Sequence, residues 1–365
     1  MKKSLMYDVA IIGAGPAGST LARLIGEKYR VLLIDKRQLI DLPESFSSRK
    51  CCGGLLAPDA QRMLSKMGLG LPKSVLEEPQ LFVVRAIDIQ QRLEGYYQRH
   101  YINMNRQKFD SWLLSMVPSD VDIRLGCQLK SYTSENNYSS LKLIQNNKTY
   151  LEKSRILVGA DGAISKVRAK SLPNNLLPRK YFAIQEWAQL DSNLPYFSSF
   201  FDPEITDYYC WTIPKGNHMI IGAALRPKEK TSEKFKLLKK KLRENGFQFG
   251  KTVLKEGAYI LRPLRIQQLT TGTKGIALIG EAAGWISPSS AEGLSYAFRS
   301  ALILAEAMRA TLHDFEKRYY QKARALRRNI FIKNLKSHFI FNPRIRKAVM
   351  KSGLQSMQVY RPWKE

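Results

Sequence analysis

The chain has 365 residues, of which 44% are hydrophobic, and it carries a formal net charge of +28. This length and apolar content allow one large domain or two closely packed ones, and they exclude a globally disordered chain. The excess of cations favours anionic partners, but no zinc-finger or RNP-type motif accompanies it, so no specific nucleic acid is predicted.

The first predicted unit is a strand–helix–strand segment. A β-branched, apolar run at 7–12 predicts a buried parallel strand, and a helix is expected from Ser19 to about Tyr29. A second strand, 31–34, ends at Asp35. The turn between the first strand and the helix has the pattern GxGxxG and consists of Gly13, Ala14, Gly15, Pro16, Ala17 and Gly18.

This turn is typical of dinucleotide binding. The first glycine permits a tight turn, the second lets the backbone approach a pyrophosphate, and the third lets helix and strand pack closely. The helix N-terminus then stabilises the phosphate charge. Asp35 is predicted to accept hydrogen bonds from an adenosine ribose, and Lys36 is assigned to the same site.

Two further glycine motifs follow predicted buried strands. The strand at 155–158 precedes Gly-Ala-Asp-Gly at 159–162, which contains Asp161. The strand at 276–279 precedes Gly-Glu-Ala-Ala-Gly at 280–284, which contains Gly280 and Glu281. In this order the three motifs resemble those of the glutathione-reductase-type flavoproteins with the para-hydroxybenzoate hydroxylase fold.

That resemblance implies an FAD cofactor bound by all three motifs. It also implies that a helix beginning at about Ser290 or Gly293 faces the flavin ring, where its positive end stabilises the charge of reduced flavin, and Gly293 and Leu294 are assigned to the cofactor site. Arg106 begins the pattern R-x-x-F-D-x-x-L and is expected to contact the cofactor, with a purely structural arginine as the alternative. The family has Asp where this chain has Glu281, which either makes the same ribityl contact or marks a weaker flavin site.

The aromatic, alternating region 180–260 predicts an antiparallel sheet. One of its strands contains Tyr-Cys-Trp-Thr-Ile-Pro at 209–214, and Lys-Cys-Cys-Gly-Gly lies earlier in the chain, at 50–54. These two motifs resemble those of the geranylgeranyl reductase family, in its short bacterial branch, although Ile213 replaces the usual Phe. The resemblance places Cys52, the candidate catalytic residue, and Gly53 beside the flavin, with Tyr209, Trp211 and Pro214 as substrate-binding residues.

Simpler roles are open for these residues. Cys52 is alternatively a small side chain that packs under the flavin, and Tyr209 and Trp211 are alternatively ordinary core aromatics. A reactive thiolate at Cys52 would need a lowered pKa, to which Arg49 or Lys50 would contribute.

The predicted fold class is α/β, with a Rossmann-like FAD-binding domain, an inserted antiparallel β-sheet substrate domain and C-terminal helices. The FAD-binding domain is assigned to 1–72, 102–172 and 272–310, the substrate domain to 73–101 and 173–271, and a basic helical region to 311–365.

The leading functional interpretation is an FAD-dependent oxidoreductase that reduces C=C bonds of an apolar, isoprenoid or prenyl-lipid substrate. NAD(P)H is the expected electron donor, with a reductase or ferredoxin-type protein as the alternative. A flavin monooxygenase that acts on an aromatic or polyketide-like substrate is the second interpretation, and a non-enzymatic flavin- or lipid-binding protein the third. No metal-ligand cluster or Ser-His-Asp set is evident, so the flavin is expected to carry the chemistry.

The C-terminal region bears on location. Residues 309–365 hold fifteen Lys/Arg and three Asp/Glu, and apolar residues alternate with the cations. This mixture suits an anionic membrane surface, with a capping helix on the FAD-binding domain as the alternative. The four cysteines lack zinc or disulfide spacing, which predicts a reducing compartment. The expected location is therefore cytoplasmic, with a peripheral position on the inner face of the membrane as the second candidate.

Overall fold

Two β-sheets organise the chain, and helices pack on them and connect them. The computed structural model describes residues 6–39, 50–171, 173, 176–190, 195–227 and 229–359. The strands, in chain order, are β1 (Tyr7–Ile12), β2 (Val31–Asp35), β3 (Leu55–Leu56), β4 (Leu81–Asp88), β5 (Leu93–Asn103), β6 (Asp122–Leu125), β7 (Cys127–Ser134), β8 (Ser139–Gln145), β9 (Lys148–Gly159), β10 (Arg179–Gln189), β11 (Tyr196–Phe201), β12 (Cys210–Lys215), β13 (His218–Leu225), β14 (Thr252–Arg262), β15 (Gly272–Thr273) and β16 (Ile276–Leu278). The α-helices are α1 (Pro16–Ile25), α2 (Pro58–Lys66), α3 (Arg106–Ser115), α4 (Lys166–Ser171), α5 (Thr231–Glu244), α6 (Leu294–Met308), α7 (Phe315–Lys322), α8 (Arg324–Phe341) and α9 (Pro343–Lys351).

The first sheet contains the strands that precede the three glycine motifs. Its order is β15-β16-β9-β1-β2-β6, and β8 pairs with both β9 and β7. The pairs β1–β2, β1–β9, β9–β16 and β2–β6 are parallel. All of β2 is buried, as expected for a parallel strand covered on both faces. Because the central strands are parallel, the motifs that follow β1, β9 and β16 emerge at one edge.

The second sheet has the order β14-β10-β13-β12-β11-β4-β5-β3. Its neighbours are antiparallel except for β11 and β4, which come from distant parts of the chain and pair in parallel. Helix α5 packs on this sheet through Phe235, Leu238 and Leu242. Strand β3 pairs with β5 at the edge of this sheet, although the predicted boundaries put residues 55–56 with the FAD-binding domain.

The predicted fold class is confirmed. The first helix begins at Pro16 rather than at Ser19 and ends at Ile25, well before Tyr29. Proline is favoured at the first helical position because its φ suits the helix and its missing N–H costs nothing there. The C-terminal helical region spans both sheets. Helix α8 packs on the first sheet through Leu326 and Ile330. Within the described ranges, no helix is both long and apolar enough to cross a membrane.

Candidate functional site

The three glycine motifs are packed against one another. A Cβ atom on Gly13, whose φ is +108°, would lie 2.5 Å from the carbonyl oxygen of Ala160. A Cβ on Gly18 would lie 1.8 Å from the carbonyl oxygen of Gly13. A Cβ on Gly280 would lie 3.0 Å from Cβ of Ala17. At Gly13 and Gly18 the obstructing atoms belong to the backbone, so the fold itself requires glycine there.

Gly15 is different because its surroundings are open. The nearest atom to a Cβ placed there is Nη2 of Arg37, 3.9 Å away. Gly15 is the N-cap of α1, and no described side chain caps that helix end. An open N-terminus with glycine in front of it suits an anionic group such as a pyrophosphate.

Asp35 lies where the sequence predicts, at the end of β2, but its carboxylate already has partners. Oδ2 accepts a hydrogen bond from the backbone N–H of Ala14 at 2.8 Å. The backbone N–H and the guanidinium of Arg37 bond both carboxylate oxygens at 2.8–3.1 Å. Lys36, which was assigned to this site, is exposed. A ribose hydroxyl would therefore share Asp35 with Arg37, a residue that the sequence analysis missed.

Arg37 also takes part in a network of ion pairs with Asp110 and Arg106. Its Nη1 donates to Asp110 at 3.1 Å, and Nε of Arg106 donates to the same carboxylate at 2.7 Å. Burial raises the pKa of Asp110, but Arg106 and Arg37 more than offset this, and the pKa lies below its ordinary value. The spacing of Arg106 and Asp110, one helical turn apart in α3, was visible in the sequence. The participation of Arg37 required the fold.

In the second motif, only one of the two carboxylate oxygens of Asp161 is hydrogen-bonded within the described residues. Its Oδ2 accepts from the backbone N–H of Lys166 at 2.8 Å. Its Oδ1 is buried and has no hydrogen-bond partner within the part of the chain that the structure describes. Burial raises the pKa of Asp161. A buried, unpartnered acceptor is costly unless a bound group supplies a donor.

In the third motif, Glu281 reaches to the second sheet. Its Oε1 accepts from the backbone N–H of Leu261, in β14, at 2.9 Å. Burial raises the pKa of Glu281, although Lys50 and Arg106 act in the opposite direction. The side chain of Glu281, one methylene longer than that of Asp, therefore connects the glycine motif to the neighbouring sheet through this hydrogen bond.

The helix that follows the third motif begins where it was expected. Gly293 is the N-cap of α6 and Leu294 is its first residue. No described side chain caps this helix end. The closest atoms to a Cβ on Gly293 belong to Ile286, 3.9 Å away, so the approach to the helix end is open.

Cys52 lies between the Arg106–Asp110 pair and the second sheet. Its Sγ accepts from Nη1 of Arg106 and from the N–H of Gly54, both at 3.4 Å. Burial raises the pKa of the Cys52 thiol, but Arg106, Gly54 and Lys50 together bring it below the ordinary value. The neighbouring thiol of Cys51 has its pKa raised, chiefly by burial. Arg49, the other predicted influence on Cys52, lies outside the described residues.

The cysteine–glycine segment packs directly on the aromatic motif. A Cβ on Gly53 would lie 2.4 Å from Cδ1 of Ile213, in β12. Lys215, at the end of β12, donates to the carbonyl oxygens of Gly54 and Met104 at 3.1 and 2.7 Å. Burial lowers the pKa of Lys215 to about 7. In the sequence, Lys215 ends an otherwise apolar, β-forming run, and this position indicates a buried lysine. The sequence analysis did not include Lys215 among the site residues.

Tyr209 and Trp211 form an aromatic wall, with ring centroids 5.5 Å apart. The hydroxyl of Tyr209 donates to the carbonyl oxygen of Ser290, between the third motif and α6, at 2.9 Å. The indole of Trp211 lies against Gly222, where a Cβ would come within 2.2 Å of the ring. The carbonyl oxygen of Pro214 accepts from Asn103 at 2.8 Å and ties β12 to β5.

A polar triad that the sequence analysis missed borders this aromatic wall. The hydroxyl of Tyr101 and Nη2 of Arg99 both donate to Oε1 of Glu292 at 2.8 Å. Nε of Arg99 also donates to the Tyr101 hydroxyl at 2.9 Å. Burial and Glu292 raise the pKa of Tyr101, so its hydroxyl stays protonated. Glu292 is the residue before Gly293, so the triad adjoins the N-terminus of α6.

Comparison with known proteins shows the family to which the chain belongs. Residues 6–246 match the model of the FAD binding domain family. Protein CbrA of Escherichia coli (strain K12) is 41% identical over 348 residues, which cover 95% of this chain and 97% of that protein. Protein CbrA of Shigella sonnei (strain Ss046) shows the same identity and coverage.

Two solved structures show the same fold at low sequence identity. A geranylgeranyl bacteriochlorophyll reductase-like protein from Thermoplasma acidophilum has a TM-score of 0.80 at 19% identity, covering 97% of this chain and 92% of that one. A probable FAD-dependent monooxygenase from Pseudomonas aeruginosa has a TM-score of 0.67 at 16% identity, covering 96% and 100%. The chain therefore belongs to the FAD binding domain family, is related to protein CbrA, and is an FAD-dependent oxidoreductase.

Proposed function

We propose that this flavoenzyme reduces carbon–carbon double bonds in an isoprenoid or prenyl-lipid chain. The observation that carries the proposal is the contact between two motifs. The cysteine–glycine segment packs on the aromatic strand at Gly53 and Ile213, and the same strand is hydrogen-bonded through Tyr209 to the loop that follows the third glycine motif. An apolar wall thus adjoins the elements that would hold the flavin ring.

The residues present fit FAD. The open N-terminus of α1 at Gly15 suits the pyrophosphate, and the unpartnered Oδ1 of Asp161 offers an acceptor to a hydroxyl group of the cofactor. The uncapped N-terminus of α6 at Gly293 suits the electron-rich edge of a reduced flavin ring. We assign Cys52 and Arg106 to the ring side of the site, where the guanidinium charge would act on both thiol and cofactor.

The aromatic wall supports a hydrocarbon substrate. The buried cluster around it is dominated by Tyr208, Trp211, Ile213 and Ile220, and Tyr209 and Phe197 pack against it. In this proposal an apolar ligand packs against these side chains, and a few polar groups at their border orient it. The triad of Arg99, Tyr101 and Glu292 provides such groups.

Reduction of a double bond adds one hydride and one proton. The hydride would come from FAD held by the three glycine motifs, once NAD(P)H or a reductase or ferredoxin-type protein had reduced it. The Tyr101 hydroxyl holds a proton at the edge of the apolar wall, and Glu292 and Arg99 fix its position. In this proposal, the Tyr101 hydroxyl gives up its hydrogen bond to Glu292, donates its proton to the second carbon and is reprotonated from solvent, and the hydrogen bond from Arg99 stabilises the tyrosinate.

The decisive experiment is anaerobic. The holoprotein is reduced with dithionite, geranylgeraniol in detergent micelles is added, and the flavin spectrum and product mass are followed. The expected result is reoxidation of the flavin, with a product that gains two hydrogen atoms per reduced double bond. Tyr101→Phe should keep the flavin and slow reoxidation by about 10²-fold or more, the usual contribution of a general acid.

A different outcome would reject the proposal. If geranylgeraniol never reoxidises the flavin, and air with an aromatic substrate yields a hydroxylated product, the enzyme is a monooxygenase. If reoxidation is equally fast in Tyr101→Phe, the triad has no part in proton supply.

A further inference from the structure

The outer face of α8 exposes large apolar side chains. Phe331 is 45% exposed, Ile332 57%, Leu335 49% and Phe339 55%. Residues 331, 335 and 339 are spaced by four, so they lie in one stripe along the helix.

The exposure of apolar side chains extends into α9. Ile345 and Val349, also spaced by four, are 37% and 40% exposed. A contiguous exposed apolar stripe on a folded chain marks an interaction surface.

The same two helices are strongly basic. Residues 324–351 contain nine Lys/Arg and no Asp/Glu. Arg324 and Arg328 precede Phe331 at helical spacing, so they share its face, and Lys336 lies at its side. All three cations are exposed. Apolar side chains that alternate with cations on one helix face are typical of helices that lie in a membrane interface.

The opposite face of α8 is firmly attached to the rest of the protein. Leu326 and Ile330 are buried in the core of the first sheet. The hydroxyl of Tyr296 donates to Asn329 at 2.5 Å. Arg346 of α9 forms a buried ion pair with Asp88 of β4 at 2.7 Å. The outer stripe is therefore a fixed surface, and the core does not need it.

The C-terminal end of α8 reaches the aromatic wall. The Phe341 ring lies 5.0 Å from that of Tyr208, and Tyr208 lies 4.9 Å from Tyr209. The helix that carries the exposed stripe thus also closes one side of the apolar cluster.

We propose that the outer face of α8 and α9 docks on an anionic lipid bilayer. The cations attract acidic headgroups, and the four apolar side chains of α8 enter the boundary between headgroups and acyl chains. A second copy of the chain fits less well, because it would bring two equally basic surfaces together. Nucleic acid would use the cations but would leave the apolar stripe in water.

Docking in this position would bring the aromatic wall close to the bilayer. A membrane-resident prenyl chain would then reach it without crossing water. This second statement rests on the proposed function, whereas the docking does not.

The test is co-sedimentation of the holoprotein with vesicles, in the absence of any substrate. Vesicles of phosphatidylcholine alone are compared with vesicles that also contain phosphatidylglycerol. Phe331→Ser/Leu335→Ser/Phe339→Ser and, separately, Arg324→Glu/Arg328→Glu should each weaken binding to the anionic vesicles, by on the order of tenfold or more. Added salt should weaken binding of the unaltered protein.

The matched control is Leu151→Ser/Val253→Ser, which removes exposed apolar side chains from β9 and β14. It should bind vesicles like the unaltered protein. Flavin content and circular dichroism establish that each variant is folded. Unchanged binding by the two α8 variants, or an equal loss in the control, overturns the proposal.

Two other results would also reject it. One is a dimer in sedimentation velocity that the apolar α8 variant dissociates. The other is tight, salt-sensitive binding to DNA that the charge variant removes, with no binding to anionic vesicles. If vesicle binding behaves as expected and geranylgeraniol is not reduced, only the proposed reaction fails.

Discussion

Different physical interactions stabilise the two ends of the candidate site. At the dinucleotide end, Gly13 and Gly18 are enclosed by backbone atoms that leave no room for a side chain. At the other end, the cysteine–glycine segment is held by ionisable side chains, namely Cys52, Arg106 and Lys215. The first end depends on shape, and the second depends on charge.

This difference has consequences for mutation and for pH. Backbone packing is indifferent to pH but intolerant of added volume. The contribution of buried ionisable groups, by contrast, changes as they titrate. Substitutions that add volume at the first end should therefore destabilise the protein at every pH, whereas the effect of substitutions at the second end should depend on pH.

The largest effect is expected at Gly18. Gly18→Ala places a Cβ 1.8 Å from the carbonyl oxygen of Gly13, which forces the backbone to move. Overpacking typically costs about 1–3 kcal/mol, and a clash with backbone belongs at the upper end of this range. The variant should show a much lower midpoint in urea unfolding, and its flavin should be lost.

Gly15→Trp is the matched variant in the same turn. Its side chain enters open space, so the protein should fold with an unchanged urea midpoint in the flavin-free state and yet remain colourless. Retained flavin in Gly15→Trp, or an unchanged midpoint in Gly18→Ala, would contradict the shape-based account of this end.

The next effect concerns Lys215. Its pKa is about 7 in the folded chain and 10.5 ordinarily. Between these values the unfolded chain binds one proton more, so this group makes the free energy of unfolding rise with pH, by up to about 1.4 kcal/mol per pH unit. Below pH 7 the lysine is charged in both states, and the full cost of burying the charge is present.

Lys215→Met removes this contribution. The difference in unfolding free energy between the unaltered protein and Lys215→Met should therefore change with pH from 7 to 10, and urea unfolding across this range measures it. The unaltered protein should gain relative to the variant as pH rises. Parallel pH profiles would show that Lys215 does not titrate in this window.

The smallest effect distinguishes the two adjacent cysteines. With its pKa lowered by Arg106, Gly54 and Lys50 against the effect of burial, Cys52 should be alkylated by iodoacetamide at pH 7, whereas the thiol of Cys51 should react slowly. Cys52→Ser should abolish the fast phase, and Cys51→Ser should retain it. Arg106→Lys should slow labelling several-fold, because a flexible point charge replaces the fixed guanidinium.

Equal labelling in Cys52→Ser and Cys51→Ser would contradict this assignment. Mass spectrometry of the labelled peptide that contains residues 51 and 52 makes the distinction directly.

The local elements of the fold were predictable because they depend on short-range patterns. The buried strands before the glycine motifs are continuous apolar runs, and the glycines mark the turns that follow them. The helix α1 starts at Pro16 and not at Ser19 because the last residues of the glycine motif already form its first turn. The partners of Asp35 were not predictable from the motif, because the bond from the Arg37 guanidinium depends on how the chain turns after β2.

Other features depend on residues that are far apart in the chain. The bond from Leu261 to Glu281 and the triad of Arg99, Tyr101 and Glu292 join segments separated by 20 to 193 positions. No local pattern specifies such contacts, because each residue type is compatible with a solvated surface in isolation.

The sequence by itself indicated the flavin-binding class, because its three glycine motifs, each after a buried strand, resemble in their order those of a known flavoprotein fold. It also determined the basic, apolar character of the C-terminal helices. Only the tertiary structure decided which ionisable groups meet at Cys52, that Lys215 is buried beneath them, and which face of α8 stays exposed. The physical reason is that burial and pKa depend on neighbours from every packed element, whereas motif geometry depends on the nearest residues along the chain.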